Sequence, residues 1–166
     1  MRILQPSNSF IRSCFYSGKY KDAVVKVQLI VDFLGRIVYF SGPHIGTKYD
    51  GHIYQDTYDE HTVCNQEYLL GDGHYGIIPH IITTTSYPAN GHISDLEYIQ
   101  NTLISHYRSR VEHINRLVES HGLFKQHFRG GLEILSSAIR VTLQFTNIEC
   151  CRYLRYRPVG PWKHFP

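Results

Sequence analysis

The clearest periodicity runs from Val25 to Phe33, where Val25, Val27, Leu29, Val31 and Phe33 alternate with Lys26, Gln28, Ile30 and Asp32. A period of two puts the first set on one face of a strand and predicts that this face is buried. Leu34-Gly35 offers a tight turn and Arg36 to Ser41 reads as the returning strand, giving a β-hairpin that Gly42-Pro43 closes. Gly46 to Asp50 follows as a loop. A short helix is expected from Asp50 to about Tyr58, because an aspartate cap accepts the unpaired N–H groups of a first turn.

Tyr68 to Gly71 is a short apolar run that reads as a central strand, and Pro79 to Thr84 as another. Pro88-Ala89-Asn90-Gly91 breaks the chain. Ser94-Asp95-Leu96-Glu97 then has the form of a capping box, serine at the cap and glutamate three residues on. Leu96, Ile99, Leu103, Tyr107, Val111, Ile114 and Val118 recur at helical spacing until Gly122, which predicts a core-facing stripe with Glu112 on its flank. A second helical run follows Gly130-Gly131, from Leu132 through Leu135, Ile139 and Leu143 towards Cys150. The proline- and aromatic-rich stretch from Arg155 to Pro166 is expected to be an extended tail, leaving residues 1–154 as one domain. A hairpin, a short helix, two strands and two late helices indicate an α/β class, with an antiparallel hairpin beside a helix-flanked sheet.

Composition narrows this only a little. The 166 residues are 42% hydrophobic, enough for a core and against disorder. A net charge of +3 permits contact with a polyanion without requiring it. No stretch approaches the ~18 uncharged apolar residues of a membrane span, and Met1 to Phe10 has no apolar core of a secretory signal. Cys14, Cys64 and the adjacent Cys150-Cys151 show no C-x-x-C spacing, as expected of a reducing compartment. The eleven histidines are scattered and expected to be exposed; they form no H-E-x-x-H motif, which disfavours a zinc protein.

The candidate chemistry begins at Tyr68-Leu69-Leu70-Gly71-Asp72-Gly73-His74-Tyr75, an apolar strand running into a carboxylate. A second acid, Glu112 in Arg108-Ser109-Arg110-Val111-Glu112, follows 40 residues later (112 − 72). A strand-end acid and a helical acid amid basic residues suit a divalent-metal site for phosphodiester chemistry. The same residues admit plainer readings. Asp72 between two glycines suits a turn, and Arg108, Glu112 and Arg116 suit a surface ladder worth about 0.2–0.5 kcal/mol per pair. Asp50 is either a helix cap or an accessory metal ligand. Arg108, Arg110, Arg116, Lys125 and Arg129 are either phosphate contacts or a solvated face.

Val31-Asp32-x-x-Gly35-Arg36-Ile37, Gly46-Thr47-Lys48-Tyr49-Asp50, Leu69-Leu70-Gly71-Asp72 and Arg110-Val111-Glu112 occur in an order that resembles the Harbinger-type DDE transposases, which are DDE superfamily endonucleases. Phe15-Tyr16-Ser17-Gly18-Lys19 is similar to the segment preceding the hairpin in that family, and the resemblance covers roughly Gln5 to Ile148. It implies an RNase H-like mixed sheet flanked by helices and three acids holding two Mg²⁺ or Mn²⁺ ions about 3.5–4 Å apart. Asp72 matches the second acid and Glu112 the third. The reaction implied is cutting and joining DNA strands in the nucleus, with a Myb-like protein as a possible DNA-binding partner. The family's first acid lies in an Asp-x-Thr motif shortly before a proline that Pro6 matches, a position upstream of Met1. The expectation is therefore an N-terminally truncated nuclease lacking its first strand, with weak or no activity. The alternative is a transposase-derived DNA- or protein-binding domain without catalysis. His74 stands before Tyr75 where the family usually has glycine.

Overall fold

In the computed structural model the alternating segment forms β3 (Val25–Val31), antiparallel to β4 (Ile37–Ile45). The structure describes residues 1–57, 67–75, 78–88 and 91–156. The hairpin turn is built by Asp32. Its carboxylate accepts the Leu34 and Arg36 N–H groups at 2.9 and 2.8 Å and pairs with the Arg36 guanidinium at 2.6 Å. Gly35 takes φ +82°, a left-handed conformation that glycine adopts without a Cβ penalty. Two expectations are corrected here. Phe33 lies beyond the strand, and β4 continues through Gly42-Pro43 to Ile45, because Val25 and Lys26 still find partners in Ile45 and His44.

Before the hairpin, α1 (Ser9–Phe15) is capped by Asn8, whose Oδ1 accepts from Phe10 and Ile11 N–H. The two-residue strands β1 (Tyr16–Ser17) and β2 (Asp22–Ala23) then pair antiparallel. Arg2 bridges to Val24, and Ile3 bridges to Phe128. Gly46 passes so close to this region that a Cβ there would lie 2.6 Å from the Phe15 carbonyl oxygen and 2.7 Å from that of Val24. The bare backbone of glycine is what the approach requires.

The Val25 face of the hairpin packs on the two long helices, α3 (Asp95–Ser120) and α5 (Leu132–Tyr156). Val25 and Ile37 share a core with Ile114 and Val118 of α3 and Leu135, Ile139, Leu143 and Cys150 of α5. The capping box at Ser94 and Glu97 forms in full. The stripe of α3, however, is core only in its second half. Leu96 is 75% exposed, Ile99 and Leu103 are exposed as well, and Ile104 is buried in their place. Helical spacing states which residues share a face, and a face is buried only where another element reaches it. The helix also stops at Ser120, and Gly122 opens the short helix α4 (Gly122–Lys125) instead of ending the run.

The remaining strands are β5 (Leu69–Leu70) and β6 (Ile81–Ile82), paired parallel, with a 3₁₀ turn at Gly73–Tyr75 between them. The fold is mixed α/β. Among the described residues its named strands form three two-stranded units, where one mixed sheet was expected. Two residues of β5 and two of β6 offer too few hydrogen bonds to extend a wider ladder. Helix α2 is described over Asp50–Thr57; Tyr58 lies outside the described residues, as do Ala89, Asn90 and Cys64. Helix α5 reaches Tyr156, two residues into the stretch expected to be extended; residues 157–166 are outside the description. The histidines are not uniformly exposed: His44 and His121 are partly buried, against Ser41 Oγ (3.0 Å) and Thr146 Oγ1 (3.1 Å).

Two asparagines act as side-chain clamps on backbone. Asn147 accepts from Ile37 N–H (2.8 Å) and donates to Ile37 C=O (2.9 Å), joining α5 to β4. Asn101 does the same for Thr85, joining α3 to the segment after β6. Asn147→Ala leaves both backbone groups of the buried Ile37 without these partners and is expected to cost about 1–3 kcal/mol, read from the urea midpoint. A variant as stable as the parent would show that the clamp contributes nothing.

Asp22 also ties distant segments, its carboxylate lying 2.7 Å from His127 Nε2. The hydrogen bond to His127, aided by the Ala23 N–H, holds its carboxyl below the ordinary value of 3.8. A depressed folded pKa means that the stabilisation is present above the unfolded value and is lost as pH falls through the folded one. Asp22→Asn should therefore lower the melting temperature at pH 6, and the gap to the parent should close below about pH 3.8. A gap unchanged down to pH 2.5 would contradict this linkage.

Candidate functional site

The end of β5 is set by Gly71. A Cβ there would lie 2.5 Å from Ile81 Cγ2, so only glycine lets the strand pass β6 while its N–H reaches the Ile82 carbonyl at 2.9 Å. Asp72 follows, and its carbonyl accepts from Tyr75 N–H at 2.9 Å to start the 3₁₀ turn. The turn is thus made by the Asp72 backbone, and its carboxylate is available to reach across to α3. There Oδ2 lies 3.1 Å from an Arg108 Nη, with the two side chains 46% and 32% exposed.

Arg108, Glu112 and Arg116 are four residues apart and form one ladder on α3, with Arg108 nearest the buried face and Arg116 turned away from Ile114 and Val118. Arg108 brings Asp72 to this ladder one turn before Glu112. Glu112 itself is 60% exposed, with Arg116 at 4.0 Å. Of the other basic residues, Arg110 is exposed but sits two residues from both Arg108 and Glu112, on roughly the opposite side of the helix. Lys125 and Arg129 are exposed at and after α4. The five basic residues therefore do not make a single stripe.

On the polar face of β3, Lys26 and Gln28 point to α2. Lys26 Nζ donates to Asp50 Oδ1 at 2.9 Å and to the Lys48 carbonyl at 2.8 Å. Gln28, only 9% exposed, donates from Nε2 to the Asp50 carbonyl and to the Tyr75 hydroxyl, at 3.2 and 3.0 Å, while its Oε1 is buried without a hydrogen-bond partner among the described residues. Burial raises the Tyr75 hydroxyl pKa, and the negative charges of Asp50 and Asp72 add to the rise while the Gln28 hydrogen bond opposes it. Asp50 and Asp72 thus both act on one half-buried tyrosine, each with its own cation, Lys26 and Arg108. This corrects the capping role for Asp50. The first α2 hydrogen bond runs from Ile53 N–H to the Tyr49 carbonyl, so Asp50 is the first helical residue and its carboxylate serves Lys26. Nothing of the His74 side chain is described.

Sequence reasoning missed Lys26, Gln28 and Tyr75. The first two lay on what the alternation marked as the solvent face. Their signal is the pair of polar residues two apart, which can satisfy a helix start only after folding brings α2 over them.

Carboxylate oxygens are the right ligands for Mg²⁺ or Mn²⁺. The arrangement nevertheless does not fit such an ion, because Arg108 and Lys26 occupy the carboxylates of Asp72 and Asp50. Among the described residues no three His, Cys, Asp or Glu side chains converge to hold one. Also among them, no helix is long and apolar enough to cross a membrane.

Comparison with known proteins gives one positive result: the model of the DDE superfamily endonucleases matches residues 1–147. No curated protein and no solved structure matches the chain. That family acts on DNA and generally uses divalent metals. With strand-end acid, helical acid and basic flank all inside the matched span, the chain belongs to the DDE superfamily endonucleases.

Proposed function

We propose that the chain is the part of a Harbinger-like transposase nuclease domain, RNase H-like in type, that carries Asp72 and Glu112 and works on DNA in the nucleus. The observation that carries the reading is the Arg108–Asp72 ion pair, which docks the strand-end acid on the helix bearing Glu112. Arg116, Lys125 and Arg129 are exposed and suited to phosphate contacts, which position a duplex without reading its sequence. Choice of sequence would come from elsewhere, a Myb-like partner being the reading that fits the resemblance. Asp50, whose charge acts on Tyr75 together with that of Asp72, would be the accessory acid.

Cleavage by these residues alone is expected to be weak or absent, since two acids with arginine neighbours lack the charge to hold the family's metal pair. A second reading, a non-catalytic DNA-binding domain derived from such a nuclease, is favoured by the cations already seated on Asp50 and Asp72. Both readings require sequence-independent DNA binding. Competition between a labelled duplex and unlabelled duplexes of unrelated sequence tests this. Equal competition is expected, and failure to bind any duplex at low ionic strength would contradict both.

A further inference from the structure

Ile134, Ala138, Val141, Phe145 and Ile148 follow one another on α5 at alternating steps of four and three residues. That spacing keeps side chains on one seam of a helix, as in paired helices that interlock knobs into holes. The seam is separate from the face that joins the core. Leu135, Ile139, Thr146 and Cys150 are buried about a third of a turn round the helix from it, whereas Ile134, Val141, Phe145 and Ile148 are 49–65% exposed. Large apolar side chains in a row along about 21 Å of helix make a patch of the kind that marks an interaction surface.

Two further features say what fits it. A groove lined by Asn147, Ile148, Cys151 and Arg152 lies at the C-terminal end of the seam, and Ile134, the most exposed of the four, stands at the other end. Glu133 and Arg152, both exposed, stand at the same two ends. A second α5 laid antiparallel, with Val141 opposite Phe145, carries its Ile134 to this groove and its Glu133 to Arg152. A parallel one sets Arg152 against Arg152, like charge on like. Two-fold symmetry makes each antiparallel contact twice.

We propose that α5 is a self-association surface: a second copy of this chain packs its own α5 antiparallel along the Ile134–Ile148 seam, each Ile134 entering the other's groove beside Arg152. One short seam is small for an obligate interface, so the pair dissociates on dilution, and melts at low concentration report the folded monomer.

The test is sedimentation of the whole chain across a wide range of concentration, with circular dichroism confirming that each variant is folded. The parent should pass from monomer to dimer. Phe145→Glu, close to the symmetry axis and present twice in each dimer, should raise the dissociation constant by about a hundredfold. Leu96→Glu, also at an exposed leucine but on α3, should leave it unchanged. Arg152→Glu should raise it about three- to tenfold by meeting Glu133, and combining it with Glu133→Arg should return it to within about twofold of the parent. A folded parent that stays monomeric throughout means a different occupant for the seam and overturns the proposal. So does a dimer that Phe145→Glu leaves intact, or one that the double charge reversal fails to restore.

Discussion

Binding of duplex DNA is expected to weaken about 10- to 40-fold between 50 and 200 mM salt. The figure follows from which basic residues can face one duplex. Arg110 lies across the helix from Arg108 and about a third of a turn round it from Arg116, and Arg108 is engaged with Asp72, so about two or three phosphate contacts are available at once. Each contact contributes about −0.9 to the slope of log affinity against log salt, giving a slope of about −1.8 to −2.7 over a fourfold change. Arg116→Ala should lower the magnitude of the slope by about one unit and weaken all duplexes alike. Fluorescence anisotropy at several salt concentrations measures it. A slope near zero would mean that binding, if present, does not run through these side chains.

The largest stability effect is expected at Ile139. It is fully buried in α5, in the cluster that holds Val25, Ile37, Ile114 and Leu135, so Ile139→Ala opens a cavity where hairpin and both long helices meet. The cost should be about 2–5 kcal/mol, a large share of the roughly 5–15 kcal/mol typical of a domain. Val141→Ala, two residues on, is the control. Val141 is exposed, and its loss should change stability by less than about 0.5 kcal/mol. Equal urea midpoints for the two variants would contradict the assigned core.

The contrast between Ile139 and Leu96 also marks how far the sequence could be read. Ile139, Leu135 and Leu143 recur at helical spacing and are buried, while Leu96, Ile99 and Leu103 recur equally well and are exposed. Periodicity reports a face and is silent about what covers it. Elements whose cause is local were legible: the β3–β4 alternation, the Ser94–Glu97 capping box and the glycine at the hairpin turn. Helix α1 was missed although Asn8 is a good cap, because its apolar residues, Phe10, Ile11, Cys14 and Phe15, cover only about one repeat in seven residues and none of its side chains is fully buried.

The site divides the same way. Asp72 and Glu112 stood out as acids at a strand end and in a basic helical segment. Their electrostatic partners were partly visible, since Glu112 and Arg116 are one turn apart. The Arg108–Asp72 pair spans 36 residues and the Gln28–Tyr75 hydrogen bond spans 47. Contacts at such separations are fixed by how β3, β5, α2 and α3 pack, which no local pattern encodes. Asp50 shows the difference most sharply. Its local context suits a cap, and only the approach of Lys26 from β3 turns its carboxylate away from the helix.

Asp72 and Glu112 are proposed to serve one DNA-processing site that is too poorly supplied with charge to cut well. Nicking of supercoiled plasmid in Mn²⁺ or Mg²⁺, by the chain and by Asp72→Ala and Glu112→Ala, tests it most directly. At most trace nicking by the parent and background levels in both variants are expected. Robust nicking that survives removal of either acid would contradict it.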